Sequence, residues 1–422
     1  MLRVIETFSG IGSQAQALKN INVPHSIEAI VEWEIGAMYA YDIMHNGPQD
    51  LTPYRHHTKQ SLVNELLKYT LSGDGKEPLS ERSLGSMNMP QLKAILCSIE
   101  RNNNLVDITQ VHAEDLPESD LLTYSFPCQD LSISGHWHKN SGGIDRNANN
   151  RSTLLWEIDR ILNEYKESDK EMPQFLLMEN VNNILSDKHI HNFREWQDQL
   201  KEYGYYNHVC TLDARNFGVP QSRKRTYMIS VKVNSEEEYQ HMSDYFFFNN
   251  LENFVVSKQY LRPLNEYLKL AYDNEVYREE AILSTPTWTP SREKIFRNNK
   301  TLAEDRTPVK NEFARTITTK QDRNPNSGII KYNKEILTKK NTYYRNLTPR
   351  ECFLLMGFDE EQFDLLMEHN IDLSEGKKIL PNARLIRLAG NSIVVQVLEK
   401  LFLQMLDIQT SVLNQSEVVE VN

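Results

Sequence analysis

Short apolar runs alternate with stretches of helical period along the first 260 residues, and this alternation narrows the fold more than any other feature. Leu2–Thr7, Ser26–Val31, Leu121–Ser125, Phe175–Met178, Tyr206–Leu212 and Thr226–Val233 read as strands. Between them apolar residues recur at helical spacing: Ala15, Leu18 and Ile21; Met38, Tyr41 and Ile43; Leu155, Ile158 and Leu162; Phe193, Trp196 and Leu200. Ser152 is placed to cap the third of these helices and Gly204 to end the fourth. Strands alternating with helices imply an α/β fold, a doubly wound and mostly parallel sheet with helices on both faces. Residues 52–104 read as an insertion with two helical patterns, around Leu62-Leu66-Leu67 and Leu92-Ile95-Leu96. After Leu261 the period becomes irregular, no clear helix is expected before Thr348, and a second, smaller domain is indicated. The last strong helix follows Gly390-Asn391-Ser392 through Val394, Val397 and Leu401, and the tail after Asp407 is polar.

Chemistry sits where these strands stop. In an open α/β sheet, ligands bind at the carboxyl ends of the strands. The first strand runs into Phe8-Ser9-Gly10-Ile11-Gly12, whose glycines let a backbone approach a ligand at a helix N-terminus. The second ends at Glu32-Trp33; an acid there suits a ribose diol, and the indole suits an adenine. An exposed acid beside a core tryptophan is the competing reading. Asp107-Ile108 precedes the next strand, where the aspartate either reaches an adenine amino group or sits in a loop. The third strand ends at Phe126-Pro127-Cys128-Gln129, which places an accessible thiol after a proline; a buried, inert cysteine is the alternative. The fourth ends at Glu179-Asn180-Val181, and its apolar flank holds that acid protonated toward neutral pH. In Gln221-Ser222-Arg223-Lys224-Arg225 the two arginines alternate and point to one side of an extended segment.

Charge and cysteine usage set outer limits. The net charge of −11 over 422 residues excludes indiscriminate coating of nucleic acid. From Trp288 to Arg350, however, fifteen Lys or Arg face six Asp or Glu, a local basic tilt that fits a phosphate backbone. Cys97, Cys128, Cys210 and Cys352 form no C-x-x-C pair, so neither a zinc site nor a disulfide framework is expected, and a reducing cytoplasm fits. No apolar stretch approaches the length that crosses a bilayer, and Leu2-Arg3-Val4-Ile5 reads as a strand rather than a leader.

Taken in order, these segments resemble the cytosine-C5 DNA methyltransferases of bacterial restriction-modification type. The resemblance is carried by Phe8-Ser-Gly-Ile-Gly12, Glu32-Trp33, Asp107-Ile108, Phe126-Pro-Cys-Gln129, Glu179-Asn-Val181, Gln221-x-Arg-x-Arg225, Arg345-x-Leu-Thr-Pro-Arg-Glu351 and Gly390-Asn-Ser392. It implies a Rossmann-like class I methyltransferase domain over 1–260, completed by 386–422, with a target-recognition domain and hinge over 261–385. It implies S-adenosylmethionine as cofactor, held by Phe8, Gly10, Ile11, Gly12, Glu32, Trp33, Asp107, Ile108, Asn391 and Ser392. Duplex DNA is the implied partner, and a cognate restriction endonuclease a further one.

The implied reaction starts with Cys128 attacking C6 of a flipped-out cytosine while Glu179 engages N3. Arg225 would hold O2, Arg223 would support the charged intermediate or a phosphate, and Asn180 would position the backbone. Gln129, Ser132, Ser134 and Arg151 belong to a loop expected to close over the DNA. Two departures stand out: Ser152 replaces the glycine common after the loop arginine, and the 52–104 insertion has no counterpart in the smallest members. A tRNA cytosine methyltransferase is one alternative, weakened because Cys352-Phe353 is followed by Leu354 where that branch has threonine. A catalytically silent DNA-binding protein on the same scaffold is the other.

Overall fold

A computed structural model describes residues 1–127, 131, 143–146, 151–310, 313–332, 342–374 and 376–413. Its centre is a six-stranded sheet of β1 (Leu2–Thr7), β2 (His25–Val31), β3 (Leu121–Tyr124), β4 (Phe175–Val181), β5 (Tyr205–Asp213) and β7 (Lys224–Lys232), ordered β2-β1-β3-β4-β7-β5. β2, β1, β3 and β4 run parallel, and β7 pairs antiparallel with both β4 and β5. The two-residue β6 (Gln221–Ser222) leaves this sheet and pairs with a distant segment.

The buried strands show why the apolar runs are continuous. Side chains alternate between sheet faces with period two, and helices cover both faces, so little of each central strand is left to solvent. Val4, Leu121, Phe175 and Leu177 enter one core. Their neighbours Ile5, Leu122, Leu176 and Met178 enter the other. The helices, in chain order, are α1 (Ser13–Asn20), α2 (Ile35–Asn46), α3 (Lys59–Leu66), α4 (Glu81–Ser86), α5 (Met89–Arg101), α6 (Leu155–Glu167), α7 (Ile190–Glu202), α8 (Glu236–Phe248), α9 (Glu275–Leu283), α10 (Pro290–Arg297), α11 (Pro349–Leu354), α12 (Glu360–Glu368), α13 (Asn382–Asn391) and α14 (Val395–Ile408). α6 and α7 cover one face of the sheet through Leu155, Ile158, Leu162, Phe193 and Trp196. α1, α11, α13 and α14 pack in the core of the other face.

The insertion forms three helices, α3, α4 and α5, rather than two. Thr58, Ser80 and Asn88 cap them, each accepting a backbone N–H of the first turn. Leu62, Leu66, Leu92 and Ile95 then make a separate small core against Ile35 and Met38 of α2.

Beyond residue 261 the structure departs from the sequence reading, because α9 and α10 occupy a stretch expected to lack helices. Only Ala281 of α9 and only Phe296 of α10 are buried, so neither helix has an apolar stripe to show in the sequence. Their caps, Asn274 and Thr289 followed by Pro290, are the readable signal. They accompany a sheet of β12 (Tyr344–Arg345), β11 (Ile329–Lys331), β8 (Thr301–Glu304) and β9 (Thr307–Pro308), while β10 (Ala314–Arg315) pairs with β6. Residues 347–380 do not stay with this small sheet. Leu347, Phe353, Phe363 and Leu380 join the large core, and Gln362 Nε2 donates to Gln16 Oε1 at 2.5 Å.

Candidate active site

The first cleft is built at the ends of β1 and β2. Phe8, Gly10 and Gly12 all have positive φ (56°, 58° and 78°), a bend that lifts the chain off β1 and starts α1. Nothing lies within 4 Å of where a Gly10 side chain would project. Gly12 differs, since any side chain there would strike His45 and Tyr41. The Phe8 amide donates to the Val31 carbonyl at 2.8 Å, which ties the turn to β2. Ile11 is buried, and its carbonyl meets His45 Nε2 at 2.9 Å. Burial pushes His45 down to about 4, so it is neutral near pH 7.

Glu32 spans this cleft. One carboxylate oxygen accepts from the Gly10 amide at 3.0 Å and the other from the Glu34 amide at 2.8 Å. Burial raises it to about 7 despite those bonds. Asn104 holds the backbone of the same residue from both sides: its Oδ1 accepts from Glu32 N at 3.0 Å, and its Nδ2 donates to Glu32 O at 2.9 Å. Sequence reading misses Asn104, whose only cue is a buried amide just after a helix. Asp107 caps its own turn, accepting from Thr109 N and Oγ1, and Ile108 is buried beside it. Open space over Gly10, with an acid at its rim and the start of α1 behind it, suits the ribose and carboxylate of a nucleoside-linked amino acid.

Another acid lies underneath. Glu6 is fully buried within β1. The Ala15 amide and the Tyr41 hydroxyl are its neighbours, yet neither carboxyl oxygen has an aligned hydrogen bond among the described residues. Burial pushes Glu6 up to about 8. An acid inside an apolar strand run is the signal that could have found it.

The second cleft lies where β3 and β4 end. Glu179 is opposite Tyr227 and Arg225 opposite Val181, so Glu179 and Arg225 are diagonal neighbours on one face. Arg225 Nε lies 3.2 Å from Glu179 Oε1, with both side chains largely buried. Burial still raises Glu179 above the ordinary carboxyl range, outweighing the Arg225 and Arg223 charges. The neighbouring Asn180 is buried, accepts from Val181 N at 2.8 Å and donates to the Phe126 carbonyl at 3.1 Å. The next carbonyl, Pro127 O, accepts from Ser152 Oγ at 2.8 Å. The chain is therefore pinned at two consecutive carbonyls beside Glu179, immediately ahead of residue 128.

Cys128, Gln129, Ser132 and Ser134 lie outside the described residues. Arg151 opens a short 3-10 turn, with Nη1 buried and without a hydrogen-bond partner among the described residues.

Two expectations need correction. Ser152 does not cap α6; it lies inside the 3-10 turn preceding Leu155 and ties down Pro127 instead. Arg223 does not share a ligand-facing site with Arg225. Its guanidinium donates to Ile317 O at 2.9 Å, Gly390 O at 3.1 Å and Ser392 O at 2.8 Å. The alternation rule fails because residue 223 falls in the break between β6 and β7. Arg223 thereby tethers the Gly390–Ser392 segment through the carbonyls of Gly390 and Ser392. Asn391 is exposed, and Ser392 Oγ donates to Leu388 O at 2.9 Å.

The C-5 cytosine-specific DNA methylase family matches residues 81–407, a span that contains the Glu179 and Arg225 strands and the pinned Phe126-Pro127 carbonyls. The chain belongs to that family. It is a DNA (cytosine-5-)-methyltransferase. The methylase is 31% identical over 406 residues to the type II methyltransferase M2.ScrFI of Lactococcus lactis subsp. cremoris, covering 95% of this chain and 98% of the relative. It is also 31% identical over 403 residues to the orphan methyltransferase M.SssI of Spiroplasma monobiae, covering 94% and 95%. In fold it is similar to the S. pombe Dnmt2 methyltransferase, with a TM-score of 0.59 at 20% identity over 96% of this chain and 98% of that one.

Two further features belong to the methylase. A cavity of about 260 Å³ lies among Ser284, Thr287, Arg292, Asp322, Asn346 and Asn382, and none of the expected site residues lines it. Among the described residues no helix is long and apolar enough to cross a membrane.

Proposed function

We propose that the methylase uses S-adenosylmethionine, held along the Gly10–Gly12 turn by Glu32 and Trp33, and acts on a flipped-out cytosine of duplex DNA through Cys128 and Glu179. Glu179 carries this reading: a largely buried acid, raised by desolvation, placed beside Arg225 at the strand end where the Phe126 and Pro127 carbonyls are pinned. S-adenosylmethionine supplies an electrophilic methyl group. The chain's own residues make C5 of cytosine able to accept it.

Cytosine C6 is a weak electrophile, so it needs both a thiolate and an electron sink. The Cys128 sulfur forms a bond to C6, and the C5–C6 π electrons move toward N3. Glu179 delivers a proton or hydrogen bond to N3, a role that its upward-shifted pKa favours. Arg225, which shares the face of Glu179, holds O2. After transfer, the C5 proton passes to solvent, the C5–C6 double bond re-forms as the Cys128 thiolate is expelled, and any proton delivered to N3 returns to Glu179. Asn180 and Ser152 act on the backbone, fixing the carbonyls of Phe126 and Pro127 so that the sulfur does not have to be positioned in each cycle. The cytosine ring is inaccessible within a duplex, which requires extrusion of the base.

The region from 261 to about 340 is the target-recognition part in this reading, supported by its basic tilt. Protection of host DNA alongside a cognate restriction endonuclease is the accompanying role, in line with the type II naming of M2.ScrFI. The test is labelled methyl transfer to duplex DNA and to tRNA, with bisulfite sequencing of DNA from expressing cells. Transfer to DNA at one sequence is expected; transfer to tRNA alone would overturn the assignment.

A further inference from the structure

The turn that connects α3 to α4 in the insertion is built onto the cofactor edge of the sheet. β2 stops at Val31, and the chain continues through Glu32, Trp33 and Glu34. Ser72 extends the pairing outward from there. Its amide donates to Trp33 O at 2.8 Å, and the Ile35 amide donates to Ser72 O at 2.9 Å, giving a parallel bridge between Glu34 and Ser72. Ser72 is fully buried. Its hydroxyl donates to Glu77 O at 2.7 Å and accepts from Gly75 N at 3.0 Å, which closes residues 72–77 into a tight loop.

Gly75 faces the tryptophan. It has φ +72°, and a side chain there would lie 3.9 Å from Trp33 Nε1 with no other atom within 4 Å. The outer side of the turn is held by α13. Arg384 Nη2 donates to Gly73 O at 2.9 Å, and Arg384 and Arg387 both pair with Glu34. A backbone bridge, a buried serine and an arginine thus fix one turn against one indole.

We infer that residues 73–76 of the insertion form the outer wall of the adenosine end of the cofactor site, holding Trp33 in position against the adenine. This rests on the cofactor reading above and gives the insertion a role within it. Charge favours adenosine over a phosphate backbone as the occupant. The turn carries Asp74 and Glu77 against Lys76 alone, and Lys76 is 4.0 Å from Asp74. An acidic turn repels DNA and tolerates a purine ring.

The experiment measures binding of S-adenosylhomocysteine, which cannot react, to the full chain by titration calorimetry. Asparagine accepts a left-handed backbone at little cost, so Gly75→Asn keeps the turn while filling the space before Trp33. Its Kd is expected to rise about tenfold, with duplex DNA affinity and the melting temperature of the unliganded protein unchanged. Gly85→Asn, in α4 of the same insertion with open space around it, is expected to bind as wild type does. Glu32→Ala tests the underlying cofactor reading. If Glu32→Ala loses affinity and Gly75→Asn does not, the wall is wrong and the cofactor site stands. If Glu32→Ala binds normally, the cofactor site itself is wrong.

Wild-type protein supplies a readout independent of folding in the variants. Trypsin cleavage after the exposed Lys76 is expected to slow when S-adenosylhomocysteine is present, while cleavage after the exposed Lys68 is not. Equal rates at Lys76 with and without the ligand, or a loss of DNA affinity alone in Gly75→Asn, would overturn the inference.

Discussion

Glu32 and Glu179 are both largely buried acids at strand ends of one sheet, and desolvation raises both. Their partners separate them. Glu32 is bound by two backbone amides, which are neutral and fixed in direction. Glu179 has a guanidinium beside it at 3.2 Å, on a side chain that a substrate carbonyl can compete for. The first arrangement makes a rigid acceptor suited to a hydroxyl pair. The second leaves an acid whose proton affinity, raised by burial and lowered by Arg225, depends on what enters the cleft. In the proposed function the same residue type in the same kind of place therefore serves binding at one end of the sheet and proton delivery at the other.

The contrast is broken most directly by removing the proton donor. Glu179→Ala is expected to slow single-turnover methyl transfer by about 10²–10⁴-fold, with S-adenosylhomocysteine affinity unchanged. A loss of cofactor affinity of similar size would show that the two ends are not separate.

Arg223 and Arg225 give the next largest test. Arg223→Ala removes three hydrogen bonds that join the break before β7 to residues 317, 390 and 392, and is expected to cost about 3 kcal/mol in urea unfolding. Arg225→Ala is expected to leave stability nearly unchanged and to lower kcat instead. The reverse pattern would exchange their roles.

The acids under the glycine turn set the pH dependence. Glu6 titrates near 4.5 when unperturbed and is raised to about 8 in the fold, so the unfolded chain releases this proton first. Its contribution is fully present below about pH 4.5 and is lost as pH rises to about 8. Glu32, raised to about 7, acts in the same direction. Glu6→Gln is expected to flatten the fall in stability between pH 5.5 and 8 by on the order of 2 kcal/mol. An unchanged slope in urea titrations at the two pH values would remove Glu6 from this account.

The smallest effect belongs to Ser152. Ser152→Ala frees the Pro127 carbonyl and is expected to cost about 1 kcal/mol, with a lower kcat and an unchanged KM for DNA. An unaltered kcat would make the bond purely structural.

Much of this fold is legible in the order of residues. β1 to β4 are readable because strands covered on both faces are predominantly apolar, with few interruptions such as Glu6, and Glu179 stands out because it ends such a run. α9 and α10 are not readable, since each buries a single residue and their caps are the only cue. Ser152 misleads because a serine ahead of an apolar period is the usual sign of a cap, and a 3-10 turn intervenes here. Arg223 misleads because period two holds only inside a strand, and that residue sits at a break.

The amino-acid sequence by itself was sufficient to determine the alternation of strands and helices, a mostly parallel sheet covered on both faces, the glycine turn and the acids at the strand ends, because burial on both faces writes itself locally as periodicity. Which acid meets amides and which meets a guanidinium, that Asn104 clasps Glu32, and that the insertion reaches Trp33 were decided only by the packed chain. Those contacts join residues dozens of positions apart, and no local period records them.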